Sequence, residues 1–336
     1  MIVDRYYYAQ LNKREQAIYK AFYNGLMEYK DIIPIPVKGK LTQETFNKVF
    51  CAITRDNPLI YYLNQSACSM AQDSFGRTAI CPQYFYSKDK IKEYNHKIEN
   101  SVNSLAAQLG LTEGTDYEKE KKIHDWMCKN VKYDYQGADM KDPSRVIISH
   151  NILGVFAHHR AQCEGIAKAV KVLLNAVNIK CIVVTGDADG NGQNGPHAWN
   201  IVDIGGNTYQ LDVTWDIGSS INRISYDYFN IPDEIMGKDH KPDSNLPECK
   251  SWAENYFVKN QLAFRSIGHL ISYITKEVAN GQSIFYFRVT GKLNAKKVAN
   301  DVASAIARIM AQKGRRSIRT QQIPNEKVGA CWIQIK

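Results

Sequence analysis

A cysteine, a histidine and an aspartate that could act together in nucleophilic catalysis follow one another through the middle of the chain. Cys163 opens the segment QCEGIAKAVKVLLNAVNIK, in which apolar residues recur at three- and four-residue steps. This spacing predicts an amphipathic helix. A thiol at the front of a helix faces unpaired backbone N–H groups and the positive end of the helix dipole, which favour the nucleophilic thiolate. A buried structural cysteine is the alternative, although the polar flanks Gln162 and Glu164 make burial in the middle of the core less natural.

The histidine and the aspartate lie on two alternating segments, HAWNIVDI and TYQLDVTW, which predict neighbouring strands. The connection Gly205-Gly206 suits a two-residue hairpin turn. In the register that this turn sets, His197 lies opposite Thr214, and Asp212 lies two places away on the same face, within side-chain reach. A three-residue turn would put the two side chains on opposite faces. In this chain order, thiol, imidazole and carboxylate can serve as nucleophile, base and orienting group.

The stretch TGDADGNGQNGPHAWN, residues 185–200, permits two interpretations. Its Asp and Asn spacing fits the opening of an EF-hand calcium loop, but that motif requires a glutamate at its twelfth place. Counted from Asp187, the twelfth place is Ala198, and both flanks resemble strands rather than helices. We therefore predict a mobile surface loop that delivers His197 to the site.

Three blocks, QCEGIAKA, GPHAWNIV and TYQLDVTWD, resemble the signature blocks of the transglutaminase-like superfamily, whose core is similar to that of papain-like cysteine proteases. The resemblance covers roughly residues 115 to 230. It implies an α+β core in which a helix bearing the cysteine packs on an antiparallel sheet bearing the histidine and the aspartate. By position it implies Cys163 as nucleophile, His197 as general base and Asp212 as the residue that orients His197.

This resemblance implies a cysteine-dependent acyl-transfer enzyme that acts on peptide or glutamine amides. Hydrolysis by a protease, peptidase or deamidase is favoured over cross-linking, because nothing in the sequence resembles the added domains of cross-linking enzymes. No metal and no organic cofactor are expected, and the partner is a peptide or protein substrate. The alternative is a binding or scaffold protein that keeps the fold without using the site. An acetyl-transfer enzyme on the same triad is a third and weaker possibility.

Other residues near the triad have weaker signals. Gln162 and Trp199 are predicted to contact substrate, since Gln162 precedes the cysteine and Trp199 shares the face of His197. We predict that Trp215 is a core residue. The sequence DHKPD at 239–243 superficially suggests a metal site, but it lacks a partner set and favours a turn.

The amino-acid composition limits the classes of protein to which the chain can belong. The 336 residues are 44% hydrophobic and 23% charged, with a formal net charge of +9, and this composition is typical of a globular protein. The lysines are spread along the chain, so no nucleic-acid partner is expected. No apolar run approaches the roughly 20 residues of a membrane span. No signal peptide is visible, which favours the cytoplasm by default, with secretion as the alternative if the start of the sequence has been trimmed. The eight cysteines form no C-x-x-C pair, so reduced thiols are expected.

The chain is expected to divide into three parts. Residues 1–112 form a mostly helical N-terminal region, and a break at Gly110 to Gly114 precedes the core at 113–230. Residues 231–336 form a linker and a small α+β layer. The oligomeric state is left open.

Overall fold

A computed structural model describes residues 4–37, 39, 41–138, 143–190, 192–220, 223–315 and 318–336. The chain combines helices with mostly antiparallel sheets, and the predicted α+β class is confirmed. A helical N-terminal region, a central region built on a four-stranded sheet and a C-terminal layer follow one another along the chain.

The N-terminal region packs against the central sheet. It contains helices α1 (Tyr6–Ala9), α2 (Lys13–Met27), α3 (Gln43–Asp56) and α4 (Lys88–Gln108), strands β1 (Ile33–Pro34), β2 (Ser69–Gln72) and β3 (Thr78–Cys81), and a 3₁₀ turn at Gln65–Ala67. The helix α2 begins at a capping box between Asn12 and Glu15. The carboxylate of Asp56 accepts a hydrogen bond from the backbone N–H of Tyr7, whose hydroxyl donates to the carbonyl of Val183 in the central region.

The central region places the helix that bears the cysteine on the sheet that bears the histidine. Its helices are α5 (Asp116–Asn130), α6 (Pro143–Ser149), α7 (Ile152–His158), α8 (Cys163–Ala176), α9 (Val213–Ser219) and α10 (Asp233–Met236), with a 3₁₀ turn at Tyr135–Ala138. Its strands are β4 (Lys132–Tyr133), β5 (Arg160–Ala161), β6 (Cys181–Gly190), β7 (Gln193–Ile204), β8 (Asn207–Leu211) and β9 (His240–Pro242). The main sheet is antiparallel with strand order β8-β7-β6-β9. The predicted helix is α8, which is buried along most of its length and packs on β6 and β7.

The turn between β7 and β8 has the predicted register, but β8 is shorter than predicted. Ile204 pairs with Asn207 across Gly205 and Gly206, which both have positive φ, as a tight two-residue turn requires. The ladder ends where Asn200 pairs with Leu211, and the chain then turns into α9. His197 therefore lies opposite Gly186 of β6, and the predicted pairing with Thr214 was wrong.

The stretch predicted to be a mobile surface loop is instead the end of a long hairpin. Strands β6 and β7 pair continuously from Cys181 opposite Val202 to Gly190 opposite Gln193. The flanks of the calcium-like pattern are thus strands, as the sequence indicates. His197 is held by a regular ladder and not by a loop.

A short strand from beyond residue 230 completes the central sheet. β9 pairs with β6 so that Pro242 lies opposite Gly186. A Cβ atom at Gly186 would collide with the backbone carbonyl of Lys241, so only glycine permits this close approach. The interpretation of 239–243 as a turn was wrong, because His240–Pro242 forms the edge strand of the sheet.

The C-terminal layer has its own core and contacts the central region. It contains α11 (Tyr256–Lys259), α12 (Ile267–Ala279), α13 (Ala295–Gln312), β10 (Ala263–Phe264), β11 (Ile284–Val289), β12 (Thr320–Asn325) and β13 (Ala330–Ile335). The sheet order is β10-β11-β13-β12, with α12 and α13 contributing to its core. The carboxylate of Asp227 accepts hydrogen bonds from the hydroxyl of Tyr286 and the side-chain amide of Asn325. These contacts attach the layer beside α9.

All eight cysteines are free thiols in the structure. Within the part of the chain that the structure describes, no helix combines the length and apolar character that crossing a membrane requires. The division at residues 112 and 230 stays a prediction, although β9 joins the central sheet from beyond the second boundary.

Candidate active site

The thiol of Cys163 lies at the N-terminus of the buried helix α8. Cys163 is the first helical residue, and Gln162 is the N-cap. The first helical hydrogen bond runs from the N–H of Ile166 to the carbonyl of Gln162, so the preceding N–H groups lie outside the helical pattern. The half-buried cysteine packs against Ala167 of the same helix and against Val183 and Ala198 of the sheet. The cysteine is thus at the junction of the helix and the hairpin.

His197 and Asp212 are in direct contact. The Nε2 atom of His197 lies 2.8 Å from Oδ2 of Asp212. Asp212 is fully buried, and it is the N-cap of α9, where its Oδ1 accepts a hydrogen bond from the N–H of Trp215. The cap holds the carboxylate in one orientation. The sequence therefore predicted the proximity of imidazole and carboxylate, but the contact arises at a helix cap and not across a strand ladder.

The electrostatics of the pair follow from burial and charge. Burial alone would lower the pKa of His197, but the Asp212 carboxylate and a hydrogen bond with Cys163 outweigh it and raise the pKa to about 10. Burial acts to raise the pKa of Asp212, but His197 and His240 hold it well below its usual range. The imidazole is therefore held as a cation at neutral pH, between the thiol and the carboxylate.

The two tryptophans differ in how they meet the cavity beside His197. Trp199 is only 2% exposed, lies behind His197 with its ring centroid 6.1 Å away, and donates its indole N–H to Gln210. It offers no surface to a substrate, so the predicted contact is corrected. Trp215, predicted to be core, is partly buried against the core and also lines the open cavity beside His197. It lies on a helix and not on a strand, because α9 follows Leu211.

The predicted contact of Gln162 with a substrate is also corrected. Its side chain is buried, and its amide nitrogen lies 3.4 Å from the backbone carbonyl of Asp134. Its backbone N–H donates to the carbonyl of Ser149. Gln162 thus holds the start of α8 against Asp134 and Ser149 and does not face a substrate.

His240 is the residue that sequence reasoning missed. Its Nε2 lies 3.1 Å from Oδ2 of Asp212, and its Nδ1 lies 2.7 Å from Oδ1 of Asp239. The side chain is fully buried, and burial, which would lower its pKa, is outweighed by the two carboxylates, which raise it. The sequence signal was the DHKPD motif itself, but nothing in it specifies that the segment joins β6.

His197, Asp212 and His240 form one group, among the residues that the structure describes, whose ligand-type atoms lie within 4.8 Å of one another. Both imidazoles make hydrogen-bond contacts of 2.8 and 3.1 Å with the same carboxylate oxygen. Mutual hydrogen bonding accounts for this geometry, and we assign no metal to the group.

An open cavity of about 680 Å³ adjoins the histidine. Its walls come from Tyr133, from Thr214 and Trp215 on α9, from the tip of the β6–β7 hairpin, and from the turn between β12 and β13. Lys327 in that turn lies 3.4 Å from the carboxylate of Asp189 at the hairpin tip. The C-terminal layer therefore forms part of the cleft.

Residues 103–212 match the family model of the transglutaminase-like superfamily. The kyphoscoliosis peptidase of Mus musculus is 24% identical over 170 residues, and that of Homo sapiens is 25% identical over 165 residues. Each match covers 46% of this chain and 24% of the relative, so the chain spans about a quarter of the relatives' length. A crystal structure of a TGase shares 15% identity over 55% of this chain and 50% of that chain, with a TM-score of 0.32. The family match confirms the resemblance to the transglutaminase-like superfamily over residues 103–212.

Proposed function

We propose that this protein is a cysteine-dependent acyl-transfer enzyme in which Cys163 is the nucleophile, His197 the general acid and base, and Asp212 the residue that orients His197. One observation carries the proposal. The imidazole of His197 contacts the carboxylate of Asp212 beside an open cavity, and the thiol of Cys163 acts with that carboxylate to raise the pKa of His197. Since Nε2 faces Asp212, Nδ1 is the nitrogen available to the thiol.

The proposed reaction begins with attack of the Cys163 thiolate on an amide carbonyl carbon, which forms a C–S bond and a tetrahedral oxyanion. Backbone N–H groups at the start of α8 lie outside the helical pattern and could stabilise that oxyanion. His197 donates its proton to the leaving amine as the C–N bond breaks. Water, losing a proton to His197, then attacks the thioester and releases the acid and the thiol.

We favour water over an amine as the acceptor, which makes the enzyme a peptidase or a deamidase and not a cross-linking enzyme. Two similar proteins are named peptidases. Profiling against a peptide library, with Cys163→Ala as the blank, would identify the bond that is cleaved.

The test that needs no substrate is alkylation by iodoacetamide at neutral pH, with the modified cysteines mapped by mass spectrometry. We expect Cys163 to react faster than the other thiols and to lose this advantage in His197→Ala. Uniform slow labelling of all eight cysteines would contradict the proposal. It would favour a binding or scaffold protein built on the same fold.

A further inference from the structure

We propose that His240 is a positioning residue of the candidate triad, which holds Asp212 in place and adds a positive charge behind His197. The inference rests on the proposed function, because it assigns a role within the same site. His240 lies outside the matched segment, and it reaches Asp212 only through the pairing of β9 with β6.

The geometry around His240 specifies its protonation. Nδ1 faces the carboxylate of Asp239 at 2.7 Å, and Nε2 faces that of Asp212 at 3.1 Å. An ionised carboxylate only accepts hydrogen bonds, so both ring nitrogens must donate and the ring is an imidazolium. The hydroxyl of Tyr228 donates to the other oxygen of Asp239 at 2.7 Å, which holds Asp239 in turn.

The contacts of Asp212 show what His240 adds. Oδ1 accepts the N–H of Trp215, while Oδ2 accepts from both His197 and His240. A carboxylate with these partners has no freedom to rotate away from His197. The rings of His240 and His197 are 5.4 Å apart, so the charge of one acts on the other.

The fold holds His240 in place. The rings of Trp199, Trp215 and Tyr228 surround it, with centroids 5.0, 4.4 and 5.7 Å away. Among the described residues, the charged groups in contact with the imidazole are Asp212 and Asp239, with His197 beside it.

The added charge has a predictable effect on proton equilibria. A cation near the triad stabilises the Cys163 thiolate and destabilises the protonated form of His197. Removing that charge should shift both events, formation of the thiolate and loss of the imidazolium proton, to higher pH. At the 5.4 Å between the two ring centroids, Coulomb's law with effective dielectric constants of about 80 and 20 gives a shift of about 0.5 to 2 pH units for the loss of the His197 proton.

The experiment measures the rate of Cys163 alkylation by iodoacetamide from pH 4 to pH 11 in the full chain. His240→Gln keeps an amide donor for Asp212 but carries no charge. Asp239→Asn removes the carboxylate that compensates the imidazolium. We expect both steps of the profile to move to higher pH in His240→Gln, where the cation is lost, and to lower pH in Asp239→Asn, where the cation loses its counter-charge, with a maximal rate in both variants close to that of the unmodified protein. His240→Leu, which also removes the donor, should lower the maximal rate at least tenfold.

The matched control is His269→Gln, which removes an exposed histidine from α12 and should leave the profile unchanged. Profiles of His240→Gln and Asp239→Asn that superimpose on that of the unmodified protein would overturn the inference. A lower rate without a shift would also overturn it, because it indicates only a structural role. If neither variant folds, ring ¹⁵N chemical shifts of the unmodified protein decide, since a neutral His240 at pH 7 would contradict the imidazolium.

The two proposals fail in different ways. If Cys163 of the unmodified protein shows no reactivity that depends on His197, the proposed function fails. If that reactivity is present and the variants at 239 and 240 leave the pH steps in place, only the role of His240 fails.

Discussion

The chain contains two groupings of cysteine, histidine and aspartate, and they differ in their surroundings. In the second grouping, Nε2 of His124 on α5 lies 3.0 Å from Asp216 and 3.7 Å from the sulfur of Cys128. His124 is almost fully buried, and Cys128 follows it by one helical turn. The first grouping joins a helix N-terminus, a strand and a helix cap beside an open cavity. The same residue types can thus tie a core together or prepare a nucleophile.

The positions of the two thiols explain the difference. Cys163 begins α8, where backbone N–H groups lack helical partners, whereas Cys128 lies within α5, where the N–H groups are used by the helix. His124 uses one nitrogen for both the thiol and the carboxylate. His197 has one nitrogen on Asp212 and the other available to the thiol, so the carboxylate can orient the ring while the second nitrogen exchanges the proton. The comparison indicates that separate ring nitrogens and an open cavity, and not composition, distinguish a candidate site.

The largest expected effect is the difference in the rate of acyl transfer between variants of Cys163 and Cys128. Cys163→Ala should abolish acyl transfer, with a loss of at least about 10³-fold in rate, because the nucleophile is removed. Cys128→Ala should retain activity within about twofold. Both rates are measured on the peptide that library profiling identifies, and equal losses in the two variants would remove the distinction between the groupings.

The two aspartates should affect different quantities. Asp212→Asn should lower kcat by about 10² to 10⁴-fold, since the amide no longer favours the required form of His197. Asp216→Asn should instead lower the free energy of unfolding by about 3 to 5 kcal/mol, because it removes the buried carboxylate beside the His124 cation and leaves only the longer contact with Asp125. Chemical denaturation and kinetics on both variants check this, and a purely kinetic effect at Asp216 would contradict it.

Gly186 offers a test of how the first grouping is assembled. Gly186→Ala should displace β9 and reduce the free energy of unfolding by about 1 to 3 kcal/mol, because the new Cβ collides with the carbonyl of Lys241. It should also reduce the reactivity of Cys163 through His240. Gly195→Ala is the matched control, since nothing lies near a Cβ at that position of the same hairpin. Equal stability of the two variants in thermal melts would contradict the close approach.

The pH dependence of stability should report the charge on His197. Its folded pKa of about 10 exceeds the ordinary value of 6.5, so its stabilising contribution is complete below pH 6.5 and is lost as the pH rises towards 10. The difference in unfolding free energy between the unmodified protein and His197→Gln should therefore shrink across this window. Denaturant titrations at pH 6, 8 and 10 measure it, and a difference that grows with pH would reverse the assignment.

The smallest effect is expected at the cleft wall. Lys327 and Asp189 are both partly exposed, so Lys327→Ala should change stability by less than about 1 kcal/mol. Because the pair borders the cavity, KM should change by about two- to fivefold, the scale of a weak exposed contact, while kcat is retained. An unchanged KM would show that the C-terminal turn does not contact substrate.

Local patterns in the sequence predicted the parts of the site that depend on neighbouring residues. The apolar stripe after Cys163 identified α8, and the glycine pair at 205–206 identified a tight turn with the observed register. The prediction failed where β8 ended early, because the tendency of Asp212 to cap a helix prevailed over the alternating pattern. The predicted substrate contacts of Gln162 and Trp199 failed because closeness in sequence to Cys163 or His197 does not specify which other segments bury a side chain.

By itself, the sequence determined which residue types were available for the site, their order, and the helix and hairpin that carry Cys163 and His197, because capping and periodicity are local properties of the chain. The tertiary structure decided that His240 reaches Asp212 and that a C-terminal turn borders the cleft. Both contacts join segments far apart in sequence. Such contacts depend on how whole layers pack, and residue spacing carries little information about that packing.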